Sequence, residues 1–317
     1  MNGDDVKQIA VIGAGSIGHG IALGMGMAGY DVSLNSRTEE SLQKGINDIK
    51  ADLQRLVDFG MATREQTESA LTKIRTNVAL EESVEDADVV IEAVYEDLAL
   101  KQRIFGQLDK LCPDRTILAS STSTIMPSSL APATNRPDRV VVAHYTGPAY
   151  LSPLVEVVRA EATSNETVEI ICAVLTKAGK QPVVVQKEVP GFIANRLQIA
   201  LAREALSLVQ KGVASPQDID TVIKTGHSRR WVVSGFFEMA EIVAGWDLVL
   251  AAMPDVLADM DSSNDVMELV REKVERGELG AKTGKGFYDW TPESAEAARQ
   301  KIAQAFIEIE KWSRPGR

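Results

Sequence analysis

Cysteine, histidine and aromatic residues are scarce in this chain. Its 317 residues include two cysteines, three histidines and 5% aromatics. Cys112 and Cys172 form no C-x-x-C pair, which excludes a disulfide framework and fits a reducing, cytoplasmic setting. No group of His, Cys and carboxylates has zinc-ligand spacing, so no metal is expected. No apolar run is long enough to span a bilayer. The start, Met1-Asn2-Gly3-Asp4-Asp5, is acidic and has no signal-peptide core, so no membrane partner is expected. Basic residues are outnumbered, 34 against 45, for a formal net charge of −11. That balance argues against nucleic acid as a partner. Low-complexity segments and internal repeats are also missing.

What is there is ordinary in amount and specific in arrangement. Hydrophobic residues make up 44% and charged residues 25%, and the length suffices for two domains with real cores. The chain is organised around Lys7 to Arg37. An apolar run, Ile9-Ala10-Val11-Ile12, meets Gly13-Ala14-Gly15-Ser16-Ile17-Gly18, then a small-residue helix to Gly29, then Asp31-Val32-Ser33-Leu34. Strand, glycine turn, helix, strand is the setting in which G-x-G-x-x-G binds a dinucleotide. Gly13 allows the tight turn, Gly15 lets backbone approach a pyrophosphate, and Gly18 lets helix and strand pack closely. Ser16 and Ile17 complete the expected cofactor contacts at the helix start.

The second strand usually ends in a carboxylate for the ribose 2′-hydroxyl. Here it ends in Asn35-Ser36-Arg37-Thr38. Ser36 and Arg37 suit a 2′-phosphate, and equally a solvated turn. NAD and NADP both remain open.

From Glu39 to Glu82 the pattern is helical, with Ile46, Ile49, Leu53 and Leu56 on one face and a capping box at Thr63 and Gln66. Further strands are expected at Asp88–Val94, Thr116–Ala119, Arg139–Ala143, Leu154–Val158 and Pro182–Val185, with a helix over Leu98–Leu111. Alternating strands and helices predict an α/β domain with a largely parallel sheet covered on both faces. Beyond Pro190-Gly191 strand patterns give way to helices, including Asp218–Ile223, Met239–Val249, Val266–Arg276 and Ser294–Trp312. Residues 1–187 are thus expected to form the dinucleotide domain, and 188–317 a helical substrate or dimerisation domain.

Oxidising an alcohol with a nicotinamide needs a base for the hydroxyl proton, and histidine suits it. His19, in the first turns of the cofactor helix, reads as a surface residue, and His227 as a solvated loop residue. His144 ends a fully apolar strand, at the sheet edge where ligands sit in open α/β folds. Glu156 interrupts another apolar strand and needs a partner if buried; an imidazole is a fitting one. The alternative is an edge-strand carboxylate facing water. Ser120 to Thr124 form a hydroxyl cluster that could hold a substrate oxygen or simply cap a turn. Asn195 could donate its amide to the same oxygen, or start a helix.

These residues together resemble the 3-hydroxyacyl-CoA dehydrogenase family along nearly the whole chain. The resemblance rests on Gly13 to Gly18, Glu92-Ala93-Val94-Tyr95-Glu96 with Lys101, Ser120 to Thr124 and His144. It continues through Pro153 to Val158, Pro190-Gly191-Phe192-Ile193-Ala194-Asn195-Arg196, and Gly284 to Tyr288. It implies an N-terminal Rossmann doubly wound sheet with a helical insert, followed by an all-α C-terminal domain, and a homodimer. It implies a catalytic His144–Glu156 pair, substrate contacts from Ser123 and Asn195, and cofactor contacts near Glu96, Lys101 and Ser121. The insert would be the arm that meets CoA in thioester-using members. Departures stand at Ser121 and Gly147, where the family usually has asparagine, and at Ser36, where it usually has aspartate. Arg230-Trp231 resembles Arg-aromatic pairs of the lambda-crystallin/L-gulonate 3-dehydrogenase and carnitine dehydrogenase branch, where an arginine could hold a free carboxylate.

The expected function is NAD(P)-dependent interconversion of a 3-hydroxyl and a 3-oxo group. The expected partner is a small molecule, either an acyl-CoA or a free hydroxy acid. The alternative is a non-catalytic dinucleotide-binding protein, crystallin-like or redox-sensing.

Overall fold

A computed structural model describes residues 2–263, 265 and 267–313. The chain divides into two compact units, Met1–Arg196 and Leu197–Arg317, a division later in sequence than the one expected after Lys187.

The first unit is built on eight strands: β1 (Gln8–Ile12), β2 (Asp31–Asn35), β3 (Ile74–Asn77), β4 (Val89–Glu92), β5 (Ile117–Ser120), β6 (Val140–Tyr145), β7 (Leu154–Val158) and β8 (Gln181–Val185). They lie in the order β3-β2-β1-β4-β5-β6-β7-β8. Neighbours from β3 to β6 run parallel, β7 runs antiparallel to β6, and β8 is parallel to β7. The chain leaves β1 toward β2 and β3, then returns to β4 on the other side of β1. This reversal of strand order is where open α/β sheets bind ligands.

Both faces of the sheet are covered, as its apolar strands require. Ile9 and Val11 of β1, Val89 and Ile91 of β4, and Ile117 and Ala119 of β5 point to one core. That core is closed by α1 (Gly18–Met27), α2 (Glu39–Asp58) and α7 (Asn165–Lys177). The alternate residues Ala10, Ile12, Val90 and Leu118 point to the other, with Phe105 and Leu108 of α5 (Leu98–Leu111) and Leu130 of α6 (Pro127–Leu130). The strand period of two sorts one sequence into two cores.

Between β2 and β4 the expected helical stretch is α2 and α3 (Arg64–Thr72), with the Thr63–Gln66 capping box formed. The helical reading fails at its end. Residues Ile74–Asn77 are edge strand β3, paired with β2, and a short α4 (Leu80–Val84) follows. β3 has one apolar residue in four and is held by its ladder to β2, so no apolar period marks it.

The second unit is helical. It comprises α8 (Ala194–Gln210), which starts in the first unit, α9 (Pro216–Thr225), α10 (Ser228–Trp231), α11 (Phe236–Met239), α12 (Trp246–Asp259), α13 (Met267–Glu275) and α14 (Pro292–Ser313). The single helix expected over Met239–Val249 is interrupted. A π-helical turn, Ala240–Ala244, ends at Gly245, whose φ of 78° stops one helix before α12 starts. Val266 and Arg314 to Arg317 lie outside the described residues. Among those described, no helix is long and apolar enough to cross a membrane.

Candidate active site

The three loop glycines meet three different demands. Gly13 has φ +114°, and a Cβ there would come 2.5 Å from the Ala93 carbonyl oxygen at the end of β4. A Cβ on Gly18 would come 1.8 Å from the Gly13 carbonyl oxygen. Gly15 has neither constraint: its backbone is outside the left-handed region and no heavy atom lies within 4 Å of its Cβ position. Nothing in the chain itself calls for glycine at 15. Close approach of the loop backbone to a ligand does, and a diphosphate at a helix start is such a ligand. Gly15 and Ser16 are exposed, and Ile17 supplies no side-chain cap to α1. The loop therefore fits a dinucleotide. At the end of β2, Ser36 shares its hydroxyl with Ser41, and Arg37 is exposed with no acidic partner among the described residues.

His19 corrects the surface reading. Its side chain is only 13% exposed; Nδ1 lies 2.9 Å from the Gly15 carbonyl oxygen and Nε2 3.1 Å from Asp52 of α2. Burial alone would lower its pKa, but the hydrogen bonds to Asp52 and Gly15 and the Asp52 charge outweigh it and hold the pKa above the usual value.

At the carboxyl ends of β4 and β5 sits a carboxylate network with Glu92 buried and Glu96 at its exposed edge. Glu92 (0% exposed) accepts from Lys101 Nζ at 2.7 and 3.0 Å, from Ser120 Oγ at 2.6 Å and from the Val94 amide at 2.7 Å. Glu96 accepts from the Thr122 and Thr124 hydroxyls and the Thr124 amide, and lies 3.4 Å from Lys101. Burial would raise the Glu96 pKa; those hydroxyls and Lys101 outweigh it and hold it below the usual range. Three of the five hydroxyls in the Ser120–Thr124 cluster are thus spent on Glu92 and Glu96. Of the other two, Ser121 is half-buried and Ser123 exposed.

His144 and Glu156 are direct cross-strand partners in the antiparallel β6–β7 pair. Opposite residues on one face stand within side-chain reach, and His144 Nδ1 lies 2.8 Å from Glu156 Oε2. Both are buried, at 3% and 1% exposure, so the water-facing alternative for Glu156 does not hold. Glu156 Oε1 accepts from the amides of Ile193 and Ala194 at 2.7 and 3.0 Å, at the start of α8. Against a carboxylate that only accepts, Nδ1 would carry the hydrogen. Among the described residues none bonds Nε2. Phe192, buried and at φ 51°, packs on the imidazole with ring centroids 5.5 Å apart. Beside it, Asn195 donates from Nδ2 to the Ser123 backbone carbonyl at 3.1 Å, which ties those two residues together. Arg230 belongs to the second unit, exposed on α10, where His227 stacks on Trp231.

Glu92 is the residue the sequence reading passed over as a buried centre. Its signal was available: a carboxylate closing Val89-Val90-Ile91, the same argument that singled out Glu156.

The glycine loop and the buried imidazole–carboxylate pair lie on one sheet, and comparison with known proteins places the chain among the NAD-dependent dehydrogenases. Residues 8–189 match the family model of the 3-hydroxyacyl-CoA dehydrogenase NAD binding domain, and residues 191–290 that of the 3-hydroxyacyl-CoA dehydrogenase C-terminal domain. The chain belongs to the 3-hydroxyacyl-CoA dehydrogenase family. It is 38% identical over 287 residues to a probable 3-hydroxybutyryl-CoA dehydrogenase of Bacillus subtilis, covering 90% of this chain and 98% of that one. It is 30% identical over 306 residues to a 5-formyl-3-hydroxy-2-methylpyridine 4-carboxylate 5-dehydrogenase of Mesorhizobium japonicum, covering 96% and 98%. A crystal structure of a dehydrogenase of that pyridine acid, described as an NAD+-dependent dismutase, superposes with a TM-score of 0.90 at 30% identity over 96% of this chain and 98% of that one. The (S)-3-hydroxybutyryl-CoA dehydrogenase of Ralstonia eutropha superposes with a TM-score of 0.75 at 31% identity over 90% and 100%.

Proposed function

We propose that this chain oxidises the hydroxyl of a 3-hydroxyacyl-CoA thioester to the 3-oxo form, and catalyses the reverse reduction, with His144 as the proton-transfer group. The His144–Glu156 pair carries this reading. Glu156, held by two backbone amides, keeps Nδ1 protonated and fixes the ring. Nε2 takes the hydroxyl proton, and the carboxylate stabilises the positive charge that develops on the imidazole. In reduction the same nitrogen returns the proton. The second Nδ2 hydrogen of Asn195 and the Ser123 hydroxyl hold the substrate oxygen. Gly13, Gly15, Ser16, Ile17 and Gly18 hold the cofactor diphosphate, with Glu96, Lys101 and Ser121 shaping the floor of its site. The nicotinamide, when bound, supplies the hydride acceptor.

NAD is the cofactor of the matched domain. The end of β2 further supports use of NADP, because an unpaired Arg37 and a hydroxyl at Ser36 stand where a carboxylate would repel a 2′-phosphate.

A second reading, a small free carboxylic acid as substrate, is favoured by the likeness to the pyridine-acid dehydrogenase. That match spans 96% of the chain, against 90% for the B. subtilis relative. One assay separates the readings: reduction of acetoacetyl-CoA against free acetoacetate, with NADH and NADPH in turn. The expected result is thioester preference and turnover with both cofactors. Preference for the free acid refutes the thioester reading, and no turnover with NADPH refutes the role of Arg37.

The helical unit favours a homodimer. Among its described residues only Ser207, Ala295 and Ile307 are buried, while Phe237, Ile242 and Leu250 are each more than 70% exposed. Apolar side chains this exposed are covered in a stable protein, here by a second copy. Light scattering after size exclusion should give twice the 34.3 kDa chain mass; a monomer mass at micromolar concentration would refute it.

A further inference from the structure

His19 stands in the first turn of α1, directly after the glycine loop, where a cation opposes the helix macrodipole. Both of its ring nitrogens nevertheless face acceptors that carry no hydrogen, the Gly15 carbonyl and the Asp52 carboxylate. A neutral imidazole has one donor and would turn a lone pair against one of those oxygens; the imidazolium satisfies both. Asp52, 6% exposed, is also bound by Arg55 from the same helix, one turn on. Asp48, the other carboxylate of α2 near His19, is paired with Lys44. Tyr150, from the β6–β7 loop, lies against Arg55 and Asp52, and burial with the Asp52 charge pushes its phenol up to about 12, so it stays neutral. α1 carries no other charged side chain. With His19 protonated, the cluster of His19, Asp52 and Arg55 holds one net positive charge behind Gly15, in a chain of net charge −11.

We propose that the His19 imidazolium is a binding cation for the diphosphate of the cofactor, acting across the Gly15–Ser16 peptide, so that affinity falls as it loses its proton. An anion at the loop removes the conflict with the helix dipole that the cation otherwise creates. The sign follows from the raised pKa. The cation is fully present below the ordinary histidine range and is lost as pH rises through a value above it. On deprotonation the ring also loses one hydrogen bond, to Gly15 or to Asp52.

The inference rests on the dinucleotide assignment, and its test separates the two. ADP-ribose, which carries the diphosphate but no nicotinamide and so does not report on His144, is titrated calorimetrically into the wild-type protein and the His19→Gln variant at fixed ionic strength. For wild type, Kd should rise about three- to thirtyfold between about pH 6 and about pH 9, the range of one screened charge. His19→Gln should bind with the weak, high-pH affinity throughout. A flat wild-type profile, or an equal slope in the variant, overturns the role of His19. Absence of ADP-ribose binding at every pH overturns the dinucleotide site itself. Nitrogen-15 spectra of the wild-type histidines give a reading that does not depend on the variant folding. A His19 ring that keeps both nitrogens protonated to higher pH than an ordinary histidine supports the proposal, and one that loses its proton at or below the ordinary range refutes it.

Discussion

Replacing His144 by glutamine should lower kcat by about 10²–10⁴-fold, the loss that accompanies removal of a general base. Glutamine retains a donor that can reach Glu156, so the β6–β7 pairing has little reason to shift. It has no nitrogen that can take a proton. Cofactor affinity should stay within about twofold, since the glycine loop lies on β1 and α1 and His144 on β6. Steady-state turnover and NADH fluorescence titration, run on the same preparation, separate the two quantities. Turnover above about a tenth of wild type would exclude His144 as the base. Added imidazole provides an internal control, because a lost base is restored in part by a free one and a misfolded site is not.

Lys101→Met should destabilise the protein by about 3–5 kcal/mol, because it leaves the Glu92 carboxylate buried without its cation. Glu92 is fully buried and Lys101 is 1% exposed, so water cannot take the ammonium's place. The Ser120 hydroxyl and Val94 amide remain as donors, but neither carries charge. Calorimetry should show the melting temperature fall by roughly 10 °C. Adding Glu92→Gln to Lys101→Met should recover part of the loss, since an amide costs less to bury than an unpaired carboxylate. A single variant within about 1 kcal/mol of wild type would show that Glu92 is not buried as a charge. The loops after β4 and β5 both hang on this carboxylate, so Glu96 and Ser121 should lose their positions with it.

The sequence and the structure agree most closely where one local pattern has one physical solution. The glycine loop is such a case, because Gly13 and Gly18 are demanded by backbone conformation and by distances below contact. A carboxylate inside an apolar strand is another. Glu156 and Glu92 both interrupt or close apolar runs and both are buried with partners. His19 is not legible in this way. A histidine in a first helical turn looks solvated until α2, folding back from more than thirty residues away, brings Asp52 against it. The same holds for β3, where only the ladder to β2 makes four mostly polar residues a strand.

By itself the sequence determined the alternation of strands and helices, the two-faced sheet, the glycine loop and the placing of His144 and Glu156 in apolar strands, since each is written in neighbouring residues with a period or a steric need. The tertiary structure decided which groups meet: His144 with Glu156 by antiparallel register, Asn195 with the Ser123 carbonyl, Lys101 with Glu92, and His19 between Gly15 and Asp52. Apart from the short reach to Gly15, these meetings join residues on different elements. What holds them is the reversal of the chain at β7 and the return of α2 onto α1, long-range packing that no local window of sequence contains.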